Sequence, residues 1–193
     1  MNPLRRRRFL KLGIGGAVAL VVGGGALHYF VLGYASLLDP TDRPTALSTK
    51  EFAIVKALVR ALVPGDGPLP SGDSLEIAQR VDEELWAASV EMRQELKAGL
   101  QLFEHGTVLH GMGTRFTALD PAMQRAYVAL LLDGGNDTLR QITSGLRQLV
   151  HLYYWGHPAT WKAIGYDGPW VGKPVPPDSH VAYRKLIGKE TEA

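Results

Sequence analysis

The chain has no cysteine among its 193 residues. That excludes a disulfide framework, thiolate metal sites and the Cys-x-x-Cys-His attachment of covalent haem. No glutamate is followed three residues later by histidine, so the Glu-x-x-His element of a di-metal helical bundle is absent. His105 and His110 are five apart and His151 and His157 six apart, so neither pair shares a helix face as metal ligands do. Ser144 has no glycine two residues before it, which excludes a nucleophile elbow there. Gly13-Ile14-Gly15 lacks a third glycine and follows no strand, so it is no dinucleotide loop. No stretch alternates apolar and polar residues with period two, and no internal repeat is visible.

Charge is scarce in net terms but unevenly placed. The overall balance is +2, yet residues 1–11 carry five positive charges and no acid, leaving sixteen basic against nineteen acidic residues in 12–193. A slightly acidic body argues against nucleic acid as a partner. The basic start reads MNPLRRRRFLK, and within it Arg6, Arg7, Phe9, Leu10 and Lys11 look like a twin-arginine export signal: two arginines, one variable position, then Phe-Leu-Lys. Arg5 stands where a serine or threonine is usual. The alternative reading is an ordinary positive flank on a membrane anchor.

An apolar run from Leu12 to Leu32 follows, with His28 its only strongly polar residue. At helical rise it spans about 32 Å, enough to cross a bilayer core. Six of its residues are glycine, which lowers both its hydrophobicity and its helix propensity. The positive start places the N-terminus in the cytoplasm and the body of the chain on the far side. Gly33-Tyr34-Ala35 is a small-x-small triplet, so cleavage after Ala35 and retention as an anchor both stay open.

Beyond a proline-containing linker the body reads as helix after helix. Ser48-Thr49-Lys50-Glu51 is a capping box opening a helix to about Leu62, with Phe52, Val55, Leu58, Val59 and Leu62 on one face. Residues 64–73 (PGDGPLPSGD) form a loop, and Ser74 is expected to cap a helix carrying Ile77, Ala78, Val81 and Leu85. A third helix carries Met92, Leu96, Leu100 and Phe103, its end loosened by Gly106, Gly111 and Gly113. Asp120-Pro121 starts a fourth. Asn136 or Asp137 caps a long fifth through Leu139, Ile142, Leu146, Val150 and Tyr153. The pattern predicts an all-α domain, an irregular bundle of about five helices.

Six of the sixteen aromatic residues fall between Tyr153 and Trp170. Pro158 opens a short helix through Trp161 and Ile164, Gly165–Trp170 turns back, and a proline-rich extended arm follows. Tryptophan and tyrosine are enriched at interface hot spots. Trp155, Trp161, Tyr166, Asp167 and Trp170 are therefore the candidate partner interface, with Trp155 and Trp170 in loop-like surroundings. Completion of the core is the competing reading for Tyr153, Trp161 and Tyr166.

The layout resembles the gluconate 2-dehydrogenase subunit 3 family over essentially the full chain. The features that carry the resemblance are the twin-arginine leader, Ala61-Leu62-Val63-Pro64 closing the first helix, Gly99-Leu100, Arg115-Phe116 with Leu119-Asp120-Pro121, and Tyr153-Tyr154 followed by Trp161 and Gly165-Tyr166-Asp167-Gly168-Pro169. The resemblance implies a small subunit without catalytic residues, cofactor or metal of its own. Its expected partners are a flavin dehydrogenase large subunit of the glucose–methanol–choline type holding FAD, a cytochrome c subunit, the twin-arginine translocase and the membrane. It implies that the flavoprotein, lacking a leader, crosses on the small subunit's signal to the periplasmic side of the bacterial inner membrane. A free-standing, membrane-anchored binding or scaffolding protein of the envelope is the alternative. The expected organisation is a signal or anchor over 1–35, a linker over 36–47, the helical domain over 48–170 and the arm over 171–193.

Overall fold

Ser48 and Glu51 begin the helical body as the capping box requires: the Ser48 hydroxyl accepts the Glu51 N–H at 3.3 Å and the Glu51 carboxylate accepts the Ser48 N–H at 2.8 Å. A computed structural model describes residues 33–65, 67–134 and 136–169. The export-signal residues Arg6, Arg7, Phe9, Leu10 and Lys11, the apolar run, Trp170 and the arm 171–193 lie outside the described residues. Within them are six α-helices: α1 (Thr49–Leu62), α2 (Ile77–Ala87), α3 (Val90–Leu109), α4 (Pro121–Asp133), α5 (Asp137–Gly156) and α6 (Pro158–Trp161). Short 3₁₀ turns cover Ala35–Leu37, Phe116–Ala118 and Lys162–Ile164, and no strand occurs among the described residues. The domain is all-α, with six helices in place of about five. No helix among the described residues is long and apolar enough to cross a membrane.

Helix α1 is the axis of the bundle. It packs against α2, α3, α4 and α5. The single apolar face expected for it is too narrow, because every residue from Phe52 to Val59 is buried. Ala53, Ile54 and Ala57 supply a second apolar surface opposite Phe52 and Val55, so the middle of the helix is buried on both sides. Leu62, expected on the buried face, is only partly covered.

Two local expectations give way to closer packing. Ser74 does not cap α2. Its hydroxyl donates back to the Ser71 carbonyl at 2.7 Å, and Glu76 takes the N-cap position with φ 53°, because Gly72 and Ile77 close a turn ahead of the helix. Gly106 does not loosen α3 but lies inside it. The Tyr127 hydroxyl sits 2.6 Å from where a Cβ would be, and donates to the Phe103 carbonyl at 3.1 Å. Only glycine admits that tyrosine, whose ring joins Phe103 and Phe116 in a buried aromatic cluster.

Helices α4 and α5 start where expected. The Asp120 carboxylate accepts the Met123 N–H at 2.9 Å ahead of Pro121, and the Asn136 side chain accepts the Leu139 N–H at 3.1 Å. The buried stripe of α5 is Leu139, Thr143, Leu146, Val150 and Tyr154. Tyr154, not Tyr153, is the core tyrosine, and its hydroxyl donates to the Pro70 carbonyl at 2.7 Å, tying down the proline-rich loop.

Residues 33–47 lie as a strap across this bundle, held by one buried charged side chain from each of three helices. Asp82 of α2 is fully buried and accepts from Thr45 N–H at 2.6 Å, Thr45 Oγ1 at 2.7 Å, Ala46 N–H at 3.1 Å and Leu47 N–H at 2.7 Å. Lys56 of α1 reaches the Asp39 and Asp42 carboxylates at 2.5 and 2.6 Å. Burial opposes the Lys56 charge, but the two carboxylates outweigh it and hold the ammonium above the ordinary lysine value. Glu104 of α3 accepts the Tyr34 hydroxyl at 2.9 Å, seventy residues away in sequence.

Removing the Asp82 carboxylate leaves three backbone N–H groups without their acceptor, at about 1–3 kcal/mol for each one that water cannot reach. Asp82→Ala is expected to lower unfolding stability by about 3 kcal/mol, read as a lower denaturant midpoint at unchanged slope. Glu83→Ala, which removes a half-exposed partner of Arg80 on the same helix, changes it by less than about 0.5 kcal/mol.

Candidate partner-binding surface

The stripe that buries one side of α5 leaves Gln148, Leu152 and Trp155 pointing outward. Polar residues are expected there, yet Leu152 is 64% and Trp155 37% exposed. Trp155 stands on the last helical turn, not in a loop, and its ring meets Tyr154 edge-on at 4.8 Å. Concave surface flanks Leu152 on both sides. One hollow, of about 430 Å³, lies between α2 and the α5–α6 junction and is lined by Leu75, Arg80, Tyr153 and Pro158. The other is a shallow groove bounded by Arg147, His151, Trp155 and Gly156. A third hollow of about 290 Å³ continues past Tyr153 to Val81, Leu85, Leu149 and Met92. The half-buried Tyr153 ring there carries the Arg80 guanidinium at 5.9 Å.

The other predicted interface residues have separate settings. Trp161 is half-buried, and Tyr166 packs edge-on against it at 5.3 Å, its N–H donating to the Trp161 carbonyl at 2.9 Å. Gly168 closes over the same indole: a Cβ there would stand 3.1 Å from Trp161 Cζ3, and its φ of 101° suits glycine. Trp161 is thus the platform of a small terminal turn. Tyr166, 40% exposed, and Asp167 present that turn to solvent. Trp170 lies outside the described residues. Leu152 was missed in the sequence because a single leucine off the buried stripe looks like ordinary surface scatter.

The chemistry-bearing side chains gather elsewhere, under the strap. Glu104 is 0% exposed and accepts from Thr117 Oγ1 at 2.6 Å and Thr117 N–H at 3.1 Å besides Tyr34. Arg115 lies 3.8 Å from the same carboxylate, with its guanidinium 4.1 Å from the Tyr34 ring centre. Burial pushes the Glu104 carboxyl above the usual glutamate range, with the Thr117 and Tyr34 hydrogen bonds and the Arg115 charge pulling part of the way back. Next to it Lys50 Nζ stands 3.0 Å from His105 Nε2. Burial, then the Lys50 and Arg115 charges, bring His105 down to about 4, so the ring is neutral at pH 7 and Nε2 accepts from the ammonium. Burial likewise lowers Lys50. Perturbed groups of this kind are characteristic of active sites. Here, however, the glutamate oxygens are occupied by the protein's own donors in an enclosed position. Among the described residues no group of three or more histidine, aspartate or glutamate side chains is placed to hold a metal ion.

His105 gives the network a pH signature. Its folded value of about 4 lies below the unfolded value of about 6.5, so the stability it permits is complete above pH 6.5 and lost as pH falls toward 4. Glu104, raised in the fold, works with the opposite sign. Comparison with His105→Gln cancels it: between pH 6.5 and 4 the wild type should lose about 1–2 kcal/mol relative to the variant in urea unfolding, allowing for solvent screening at this half-buried ring.

The model of the gluconate 2-dehydrogenase subunit 3 family matches residues 49–168, from the first turn of α1 to the glycine that closes over Trp161. No curated protein matches the chain, and no solved structure does. The match covers well over half of the 193 residues and spans all six helices, so the chain belongs to the gluconate 2-dehydrogenase subunit 3 family.

Proposed function

We propose that this chain is the non-catalytic small subunit of a flavin-dependent dehydrogenase, and that it escorts the folded, flavin-loaded large subunit through twin-arginine export and holds it at the membrane. Membership of a dehydrogenase-subunit family is the observation that carries the reading. It is supported by the kind of surface the domain has to offer. Leu152 and Trp155 are exposed between hollows on one end of α5, an arrangement suited to receiving a partner's side chains. The enclosed Glu104 network is organised as structure rather than as a reaction centre.

Carriage of two chains on one leader places a physical demand on that surface. The interface must outlast transit, which calls for a contact of about 1,200–2,000 Å² with an apolar centre. FAD belongs to the large subunit in this scheme, a cytochrome c subunit receives the electrons, and Arg6 and Arg7 address the whole assembly to the translocase.

Replacing Arg6 and Arg7 with lysine should leave both the small subunit and the flavoprotein in the cytoplasm, followed by fractionation and flavin absorbance. A flavoprotein that still reaches the periplasm ends the escort reading. Leu152→Asp should weaken recovery of the yellow complex by about thirtyfold in dissociation constant while leaving the thermal midpoint of the small subunit unchanged. A colourless lone chain purified from wild-type membranes would favour a free-standing envelope protein.

A further inference from the structure

Tyr34 sits at the middle of the small-x-small triplet Gly33-Tyr34-Ala35, two residues after the apolar run ends at Leu32. In the fold it is no longer part of a leader. Its side chain is 2% exposed, its hydroxyl donates to the buried Glu104, and its ring lies under the Arg115 guanidinium. Gly33 has φ 90°, and a Cβ there would stand 3.1 Å from Arg115 Nη2, so a glycine is needed to bring the chain in over the arginine. The Ala35–Ser36 bond lies within a 3₁₀ turn: Leu37 N–H donates to the Tyr34 carbonyl at 3.0 Å, Leu38 N–H to the Ala35 carbonyl at 3.3 Å, and Ser36 Oγ to the Gly33 carbonyl at 2.9 Å.

We infer that the chain is not cut after Ala35, and that the apolar segment stays joined to the domain as its membrane anchor, with Tyr34 as the plug that both completes the core and closes the processing site. The inference rests on the export reading above. A protein that crosses already folded presents a peptidase with the finished domain, not with an extended chain in transit. Gly33, Ala35 and Ser36 are exposed, but proteolysis needs an extended segment, and this turn becomes one only by local unfolding and withdrawal of the buried Tyr34. Cutting would also discard Tyr34 and leave Glu104 without one of its donors.

The test uses the full chain expressed with its neighbouring subunits in a bacterium with a twin-arginine system. Intact-mass and N-terminal analysis of the exported protein should find residues before Ser36 retained, and the chain should stay in the membrane through an alkaline carbonate wash. An exported chain beginning at Ser36 overturns the inference. Protease added outside spheroplasts separates this from failure of export: an uncut chain that the protease never reaches overturns the export reading, and with it the reason for retention. Tyr34→Ala preserves the small-x-small pattern but removes the plug. It should lower the thermal midpoint by about 10 °C and yield a fraction beginning at Ser36, whereas Tyr34→Phe keeps the ring, loses a few degrees and stays uncut. A Tyr34→Ala chain with an unchanged midpoint, or a folded one that remains whole, refutes the protective role of the tyrosine.

Discussion

Three buried charges are answered by one short stretch of chain, and the rest of the domain depends on that arrangement. Asp82, Lys56 and Glu104 belong to different helices, and each meets partners in residues 34–47. A buried charge deprived of its partner destabilises by about 3–5 kcal/mol, and a lost buried hydrogen bond by about 1–3 kcal/mol. Without the strap Asp82 and Lys56 would lose these partners, and Glu104 would lose one of its donors. With it, the same charges fix the position of the strap more sharply than apolar contact would, since four hydrogen bonds to one carboxylate tolerate no slip in register.

Completion of the core from the N-terminal side has a consequence at the other end. Helix α1 is covered all round by its neighbours and the strap, so the bundle needs no further covering for its own stability. The apolar side chains left over at the end of α5, Leu152 and Trp155 among hollows shared with Tyr153, are surplus to that core. Surplus apolar surface on a completed domain is the usual mark of a contact made with another molecule. The strap and the exposed end of α5 thus draw on separate parts of the chain.

Much of the helical scaffold was legible in the sequence because it is written in local signals. The Ser48–Glu51 box, Asp120-Pro121 and Asn136 each act within one turn, so spacing alone finds them. The strap was not legible. Asp82 and Glu104 lie at helix positions that read as solvated surface, and nothing local tells that Thr45 or Tyr34 will arrive from tens of residues away. Gly106 was misread for the same reason: it breaks a helix pattern, and only the arrival of Tyr127 explains why no larger residue fits. Tyr153 and Tyr154 are adjacent, so a shift of 100° around α5 decided which became core, and the hydrogen bond to Pro70 that selects Tyr154 is itself long-range.

The perturbed titrations around Glu104 follow from the same constraint. Glu104 rises because burial outweighs Thr117, Tyr34 and Arg115; His105 falls because burial and two neighbouring cations disfavour a third charge. These shifts occur where Tyr34 meets the bundle: Glu104 is enclosed there, while Lys50 and His105 are half-buried beside it. A neutral His105 receiving Lys50 leaves Arg115 as the cation closest to the glutamate, so that one guanidinium serves both the carboxylate and the Tyr34 ring. Displacing Tyr34 would take one donor from the buried Glu104 carboxylate and the ring from under the Arg115 guanidinium, which is a physical reason for the strap to stay closed once the domain has folded.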